Sequence, residues 1–262
     1  MTVTVQEAIE TIIEAVPGSP FSETVDTVKL GNPLQPITGI VTTFLATLEV
    51  IERAMQLNAN FIIAHEPIFY NHLDKTDWLQ DNTAYQAKCR LVEENGLVVW
   101  RFHDYLHSLE PDPVSVGILQ TLAWESYFEP QNRICKIPPM KFGELVSYVK
   151  TRLGIQTLRV IGDLDMTCRG VALLPGFPPP EVQIGVFNEP EVDVIICGEI
   201  HEWETSEYTR DARHLRHNKA LIVVGHAASE EPGMKAIIPW LQERLLGVPI
   251  TFVPTGNPFQ FL

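Results

Sequence analysis

Two short stretches of this chain carry the same pattern, and they restrict the fold more than any other feature. Asn60-Phe61-Ile62-Ile63-Ala64 lies over Asp193-Val194-Ile195-Ile196-Cys197 (193 − 60 = 133), and Glu66 lies over Glu199 (199 − 66 = 133). Each is a short apolar run entered from a polar residue, the mark of a strand buried on both faces. Ahead of the first run, ITGIVTTF reads as a strand and LATLEVIERAMQLN as a helix. Strand, helix, strand implies a parallel βαβ unit. The same grammar returns with the strand RGVALLP, a Pro-rich loop and the strand VDVIIC, and Gly39 and Gly170 fall nearly in register (170 − 39 = 131). The expected class is α/β, with two structurally related domains built on mostly parallel sheets.

A chain of 262 residues, 45% hydrophobic and 20% charged, has room for two such domains. The loop in SYFEPQNRICKIPPMKFGELVSYVKTRLG gives way to a helix after Lys141, which suggests a first domain over 1–130 and a second over 131–262. The C-terminal segment has the option of packing back on the first. Residues 5–16 place Val5, Ile9, Ile12, Ile13 and Val16 at helical spacing until Pro17-Gly18 ends the pattern.

With 33 acidic against 19 basic residues the formal charge is −14, which argues against gripping phosphate backbones and so against nucleic acid as a partner. Cys89, Cys135, Cys168 and Cys197 are widely spread with no CxxC pair, so neither a structural zinc site nor a disulfide framework is indicated, and a reducing cytoplasm fits. The sequence has no basic, then apolar leader and no apolar run long enough to span a bilayer.

Four apolar runs end in ligand-type residues. FIIA runs into His65-Glu66, LVVWRF into His103-Asp104, VIIC into Gly198-Glu199-Ile200-His201, and LIVVG into His226. In open parallel sheets, polar side chains converge beyond the carboxyl ends of the strands. Imidazole with carboxylate suits zinc, iron or manganese. His103 and His107 are four apart, Asp104 and His107 three apart, and His226 and Glu230 four apart, so one helical turn would align each pair. A helix starting near Ala227 would hold Pro232 in its first turn. Taken singly, each pair is common by chance; it is their convergence that favours a metal over a metal-free, hydrogen-bonded crevice. His72, His214 and His217 read as solvated, Glu202, Glu204 and Glu207 as an exposed helix face, and Trp100 and Trp240 as core.

These elements together, the AHEP turn, the His-x-x-x-ligand after a second strand, Gly-Glu opening a helix and the GHAASE element, resemble the Nif-three-like family over most of the chain. The resemblance implies two related α/β domains with a dinuclear metal centre in the cleft between them, and ring-shaped hexamers. It implies metal ligands at His65, His226 and Glu230, with Glu230 a bridge. At two positions the sequence departs from the family pattern: Glu66 stands where a second His is usual, and His107 where Asp is usual. The exchange keeps three imidazoles and two carboxylates, and Asp104 is a sixth candidate. Two divalent metal ions (Zn, Fe or Mn) are thus the expected cofactors.

The function this points to is a metal-dependent hydrolase of a small-molecule substrate. Some relatives carry a name implying GTP cyclohydrolase activity, although this chain has neither GxGxxG nor GxxxxGK[ST]. His103 and Glu199 are the candidate proton-transfer groups. A non-catalytic metal-binding regulator or metal-delivery protein is the alternative. Phe259, Phe261 and Leu262 close the chain with apolar groups, which fits either a homo-oligomer, a hexamer by resemblance, or a tail folded onto its own domain.

Overall fold

In the computed structural model, which describes residues 3–131 and 133–261, the strands fall on the apolar runs. Two compact units divide the chain, one taking Met1–Pro113 with Gly233–Pro258 and the other Val114–Pro232 with Phe259–Leu262.

The first unit runs α1 (Val5–Glu14), β1 (Val28–Leu30), β2 (Ile40–Thr43), α2 (Leu48–Gln56), β3 (Phe61–Ala64), α3 (Thr83–Glu94), β4 (Val98–Arg101) and α4 (Asp104–His107). Its sheet has the order β1-β4-β3-β2, extended past β2 by the late strand β11 (Ile250–Phe252). β4, β3, β2 and β11 are parallel, and only the edge strand β1 is antiparallel. α2 forms because Thr47 caps it, accepting from the Val50 N–H, and because Val50, Ile51 and Ala54 line one face. That face packs with Val41, Ile62 and Val99. A fully buried Ile such as Ile62 contributes about 1.5–3 kcal/mol, and Ile62→Ala would cost roughly 2–5 kcal/mol.

The second unit runs α5 (Pro113–Leu122), β5 (Phe128–Glu129), β6 (Ile134–Lys141), α6 (Phe142–Leu153), β7 (Arg159–Ile161), β8 (Thr167–Leu174), α7 (Pro180–Val186), β9 (Val194–Cys197), α8 (Glu207–His214) and β10 (Ala220–Val223). Its sheet order is β5-β6-β8-β9-β10-β7. β8, β9 and β10 are parallel, with antiparallel strands on either side. The Pro- and Asn-containing stretch near residue 130 joins β5 to β6, which pair antiparallel inside this unit. α9 (His226–Ala236) and α10 (Ile238–Arg244) then lead to β11.

The two central strand triplets are built alike. Phe61 N–H bonds the Gly39 carbonyl at 3.1 Å, and Asp193 N–H the Gly170 carbonyl at 2.8 Å. Asn60 Oδ1 accepts from the Thr38 N–H at 2.9 Å, and Asp193 Oδ2 from the Arg169 N–H at 2.7 Å. The residue before each central strand thus fastens the start of its neighbour with its side chain, which is why Asn and Asp occupy the matched positions.

Two local readings change. Pro232 stands seventh in α9, not in its first turn, so the helix forgoes one interior backbone bond. Trp100 is core, but Trp240 is only half-buried, with the Arg244 guanidinium 3.8 Å over its ring. His72, His214 and His217 are exposed. No helix among the described residues is long and apolar enough to cross a membrane.

Candidate metal centre

In the first unit, β3 hands its register to two polar residues. His65 N–H bonds the Thr43 carbonyl at 3.1 Å and Glu66 N–H the Phe44 carbonyl at 2.9 Å, so the ladder continues past Ala64. His65 is fully buried. Its Nδ1 lies 3.1 Å from the Phe102 carbonyl, which can only accept. Nδ1 therefore carries the proton and Nε2 the lone pair.

The neighbouring strand β4 leads into the single turn α4, and that turn has no cap of its own at His103. Asp26 supplies one from a distant segment. Its Oδ1 accepts from His103 N–H at 2.8 Å and Asp104 N–H at 3.2 Å, and its Oδ2 from Tyr105 N–H at 2.8 Å. Burial raises the Asp26 pKa against these three bonds. With the turn so fixed, His103 and His107 face the same way.

Both imidazoles meet a carboxylate at Nδ1: His103 meets Asp104 at 2.9 Å and His107 meets Asp112 at 3.3 Å. The carboxylates accept, so Nε2 again keeps the lone pair in the neutral rings. Desolvation by burial, reinforced by His65, pushes the His103 pKa down to about 4, which keeps it neutral at pH 7. Asp104 stands behind His103, its other oxygen accepting from Thr24 Oγ1 at 2.8 Å and Val25 N–H at 3.0 Å. Burial opposes its charge, but the bonds from His103, Val25 and Thr24 outweigh it and pull the carboxyl down to about 2. Ring centroids lie 4.8 Å apart for His65 and His103, 5.0 Å for His65 and His107, and 4.9 Å for His103 and His107. One nitrogen from each ring lies within 4.8 Å of the others, a grouping able to hold a metal ion.

Beneath this cluster lies Arg101. Its Nε donates to the His65 carbonyl at 3.2 Å, Nη1 to the His72 carbonyl, and Nη2 approaches Glu66 Oε2 at 3.3 Å. Glu66 Oε1 lies 3.6 Å from His103 Nε2.

In the second unit, β9 delivers Glu199 and β10 delivers His226. Glu199 Oε2 is 3.0 Å from His226 Nδ1, and Glu230 Oε2 is 3.0 Å from His226 Nε2, so one imidazole is bracketed by two carboxylates. α9 places His226 and Glu230 one turn apart. Ser229 ties the turn down, donating to the His226 carbonyl at 2.7 Å and accepting from the Gly176 N–H at 2.9 Å. Gly176 has φ +72°, and a Cβ there would strike Glu230 Oε1 and crowd His226 Nε2. Gln183 fixes the Glu199 carbonyl at 3.0 Å.

Every predicted site residue thus follows the carboxyl end of a parallel strand. His65, Glu66, His103, Asp104 and His107 come together in one unit, and Glu199, His226 and Glu230 in the other. Asp26, Arg101 and Gly176 were not foreseen. Arg101 left a trace as the one charge inside LVVWRF; Asp26 left none, since its role depends on a turn 77 residues away. Imidazole and carboxylate oxygen are the donor types that zinc, iron and manganese accept, so the residues fit the implied metal.

Comparison with known proteins agrees with this architecture. The sequence model described as Duf34/NIF3 (NGG1p interacting factor 3) matches residues 3–258. A Clostridium acetobutylicum protein named "GTP cyclohydrolase 1 type 2 homolog" is 26% identical, covering 95% of this chain and 96% of its own. A Clostridium perfringens protein of the same name is 24% identical, covering 96% and 97%. Among solved structures, a Staphylococcus aureus hypothetical protein superposes with TM-score 0.78 at 16% identity over 100% of both chains. A Bacillus cereus protein related to NIF3 gives 0.77 at 17% identity over 100% of this chain and 99% of its own. These structural likenesses concern the fold.

Proposed function

The chain belongs to the Duf34/NIF3 family, and from that premise we propose that it is a metal-dependent hydrolase of a small molecule, holding two divalent ions. The ligands we assign are His65, Glu66, His107, His226 and Glu230, with Asp104 placed behind His103. The observation that carries the reading is the orientation of the imidazoles: in the first unit each Nδ1 is engaged by a protein acceptor, leaving Nε2 as the donor nitrogen.

A bound divalent cation would lower the pKa of coordinated water towards neutrality and polarise the bond under attack. Glu199 orients His226 through Nδ1, as a carboxylate does behind a metal-bound imidazole. Neutral at pH 7, His103 can accept a proton at Nε2. The name shared by the clostridial relatives favours a nucleotide-like substrate.

We extend the proposal to a cytoplasmic homohexamer. The exposed rings of Phe259 and Phe261 support an apolar contact between copies; Leu262 lies outside the described residues. Elemental analysis of the purified protein tests the metal: about two equivalents are expected, falling in His226→Ala and Glu230→Gln. A chain purified without metal that takes up none on reconstitution overturns the reading. A panel of nucleotide, phosphoester and amide substrates then tests turnover, and light scattering the ring.

A further inference from the structure

We propose that His65, His103 and His107 by themselves form a complete three-imidazole site for one zinc-class ion, with His103 a ligand through Nε2 in place of the proton-accepting role given to it above. The proposal rests on the metal-binding reading above and assigns one of its ions to residues of the first unit alone.

The first argument is distance. A tetrahedral ion with Zn–N bonds of about 2.0–2.1 Å sets the centroids of its imidazole ligands roughly 5 Å apart. The three centroid separations here are 4.8, 5.0 and 4.9 Å, a nearly equilateral triangle. The second is orientation. Phe102 O, Asp104 and Asp112 each engage one Nδ1, so three Nε2 atoms share the donor role. A backbone carbonyl and two carboxylates are the outer partners that metal-bound histidines use.

The third argument is rigidity. His65 is locked in the strand ladder, and α4 is capped by both Asp26 oxygens, so the triangle is preformed. Access is one-sided: the His65 side is buried, while the His103 and His107 side chains are 20% and 32% exposed. Three nitrogen ligands with one open face form the donor set of a site that keeps a water or substrate position. Glu66, drawn to the Arg101 guanidinium, is not needed to complete it.

The test uses the full chain, stripped with chelator and titrated with Co(II), reading visible absorption and bound equivalents. The double variant His226→Ala/Glu230→Gln and the single variant Glu66→Gln are each expected to keep one ion with the intense band of a tetrahedral, nitrogen-rich site. His103→Ala is expected to weaken that ion at least 100-fold, with His107→Ala a second reading should His103→Ala misfold by circular dichroism. Asp104→Asn should weaken it roughly 10–100-fold. Loss of all metal from the double variant, while the wild type binds two ions, overturns the self-sufficient triad and leaves the metal reading standing. An unchanged Co(II) spectrum in folded His103→Ala also overturns it. Absence of metal from the wild type overturns both.

Discussion

Arg101 Nη2 lies 3.3 Å from Glu66 Oε2, a guanidinium and a carboxylate paired where the arginine side chain is 1% exposed. The same guanidinium is 3.7 Å from Asp74, which Lys29 also approaches at 3.2 Å. Removing one partner of a buried pair leaves the other uncompensated, at a cost of about 3–5 kcal/mol. Arg101→Met is therefore expected to lose about that much in urea unfolding. Arg101→Lys should recover only part, since an ammonium lacks the planar fork that reaches His65, Glu66 and His72 together. Adding Glu66→Met to Arg101→Met should recover the part of the loss that comes from the unpaired Glu66, while Asp74 and the His65 and His72 carbonyls still lack the guanidinium. Additive losses in the double variant would refute the coupling.

Acid should destabilise the metal-free protein in two steps. His103 has its folded pKa held down to about 4 against an ordinary 6.5, so between these values the unfolded chain binds a proton that the folded one does not. Stability contributed by the neutral ring is present above pH 6.5 and is lost as pH falls towards 4. Asp104, lowered from 3.8 to about 2, adds a loss below pH 4. Thermal midpoints from pH 7.5 to 3.5 should show the upper step in wild type and a flatter curve in His103→Asn. Equal slopes in the two proteins would exclude His103 as its source.

Lys88 makes the opposite end of the pH scale informative. It is 6% exposed, its Nζ donates to the Ile68 carbonyl at 3.1 Å, and burial lowers its pKa from 10.5 to about 8. Between pH 8 and 10.5 the unfolded chain holds the extra proton, so stability should rise with pH relative to Lys88→Met. The measurement is the difference in unfolding free energy between the two proteins at pH 7.5 and 9.5; a constant difference would count against a neutral buried amine.

Gly176→Ala should damage the second unit's cluster without replacing a ligand. Its positive φ strains any side chain, and the new methyl meets Glu230 and His226. Bound metal should fall by at least one equivalent, and the thermal midpoint by several degrees. Full occupancy in the variant would show that Glu230 is not held where the glycine leaves room for it.

The parallel strands and their polar ends were legible because their cause is local. FIIA and VIIC are too uniformly apolar to be anything but buried, and each runs at its carboxyl end into polar residues such as His65 and Glu199. The match of Asn60 with Asp193 was legible too, but not its cause, which is that each side chain fastens the start of the neighbouring strand. What stayed hidden depends on residues far apart in sequence. Asp26 caps a turn formed by residues 103–105, Thr24 and Val25 hold Asp104, and Arg101 looked like part of an apolar run until the loop at 72–74 closed over it. Trp240 was misread because a half-buried ring under an arginine has the same sequence signature as a core one.

The pairing of β11 with β2, Ile250 beside Ile40 through Phe252 beside Thr42, fixes an order of events during synthesis. All sheet strands of the second unit lie in its segment Val114–Pro232, so they are made before the first unit has its last one. Until residues 250–252 leave the ribosome, the outer edge of β2 is an open row of backbone donors and acceptors. Ribosomes stalled a few residues short of Ile250 would hold a nascent chain whose second unit resists protease while the edge of its first sheet can still pair with a neighbouring nascent chain.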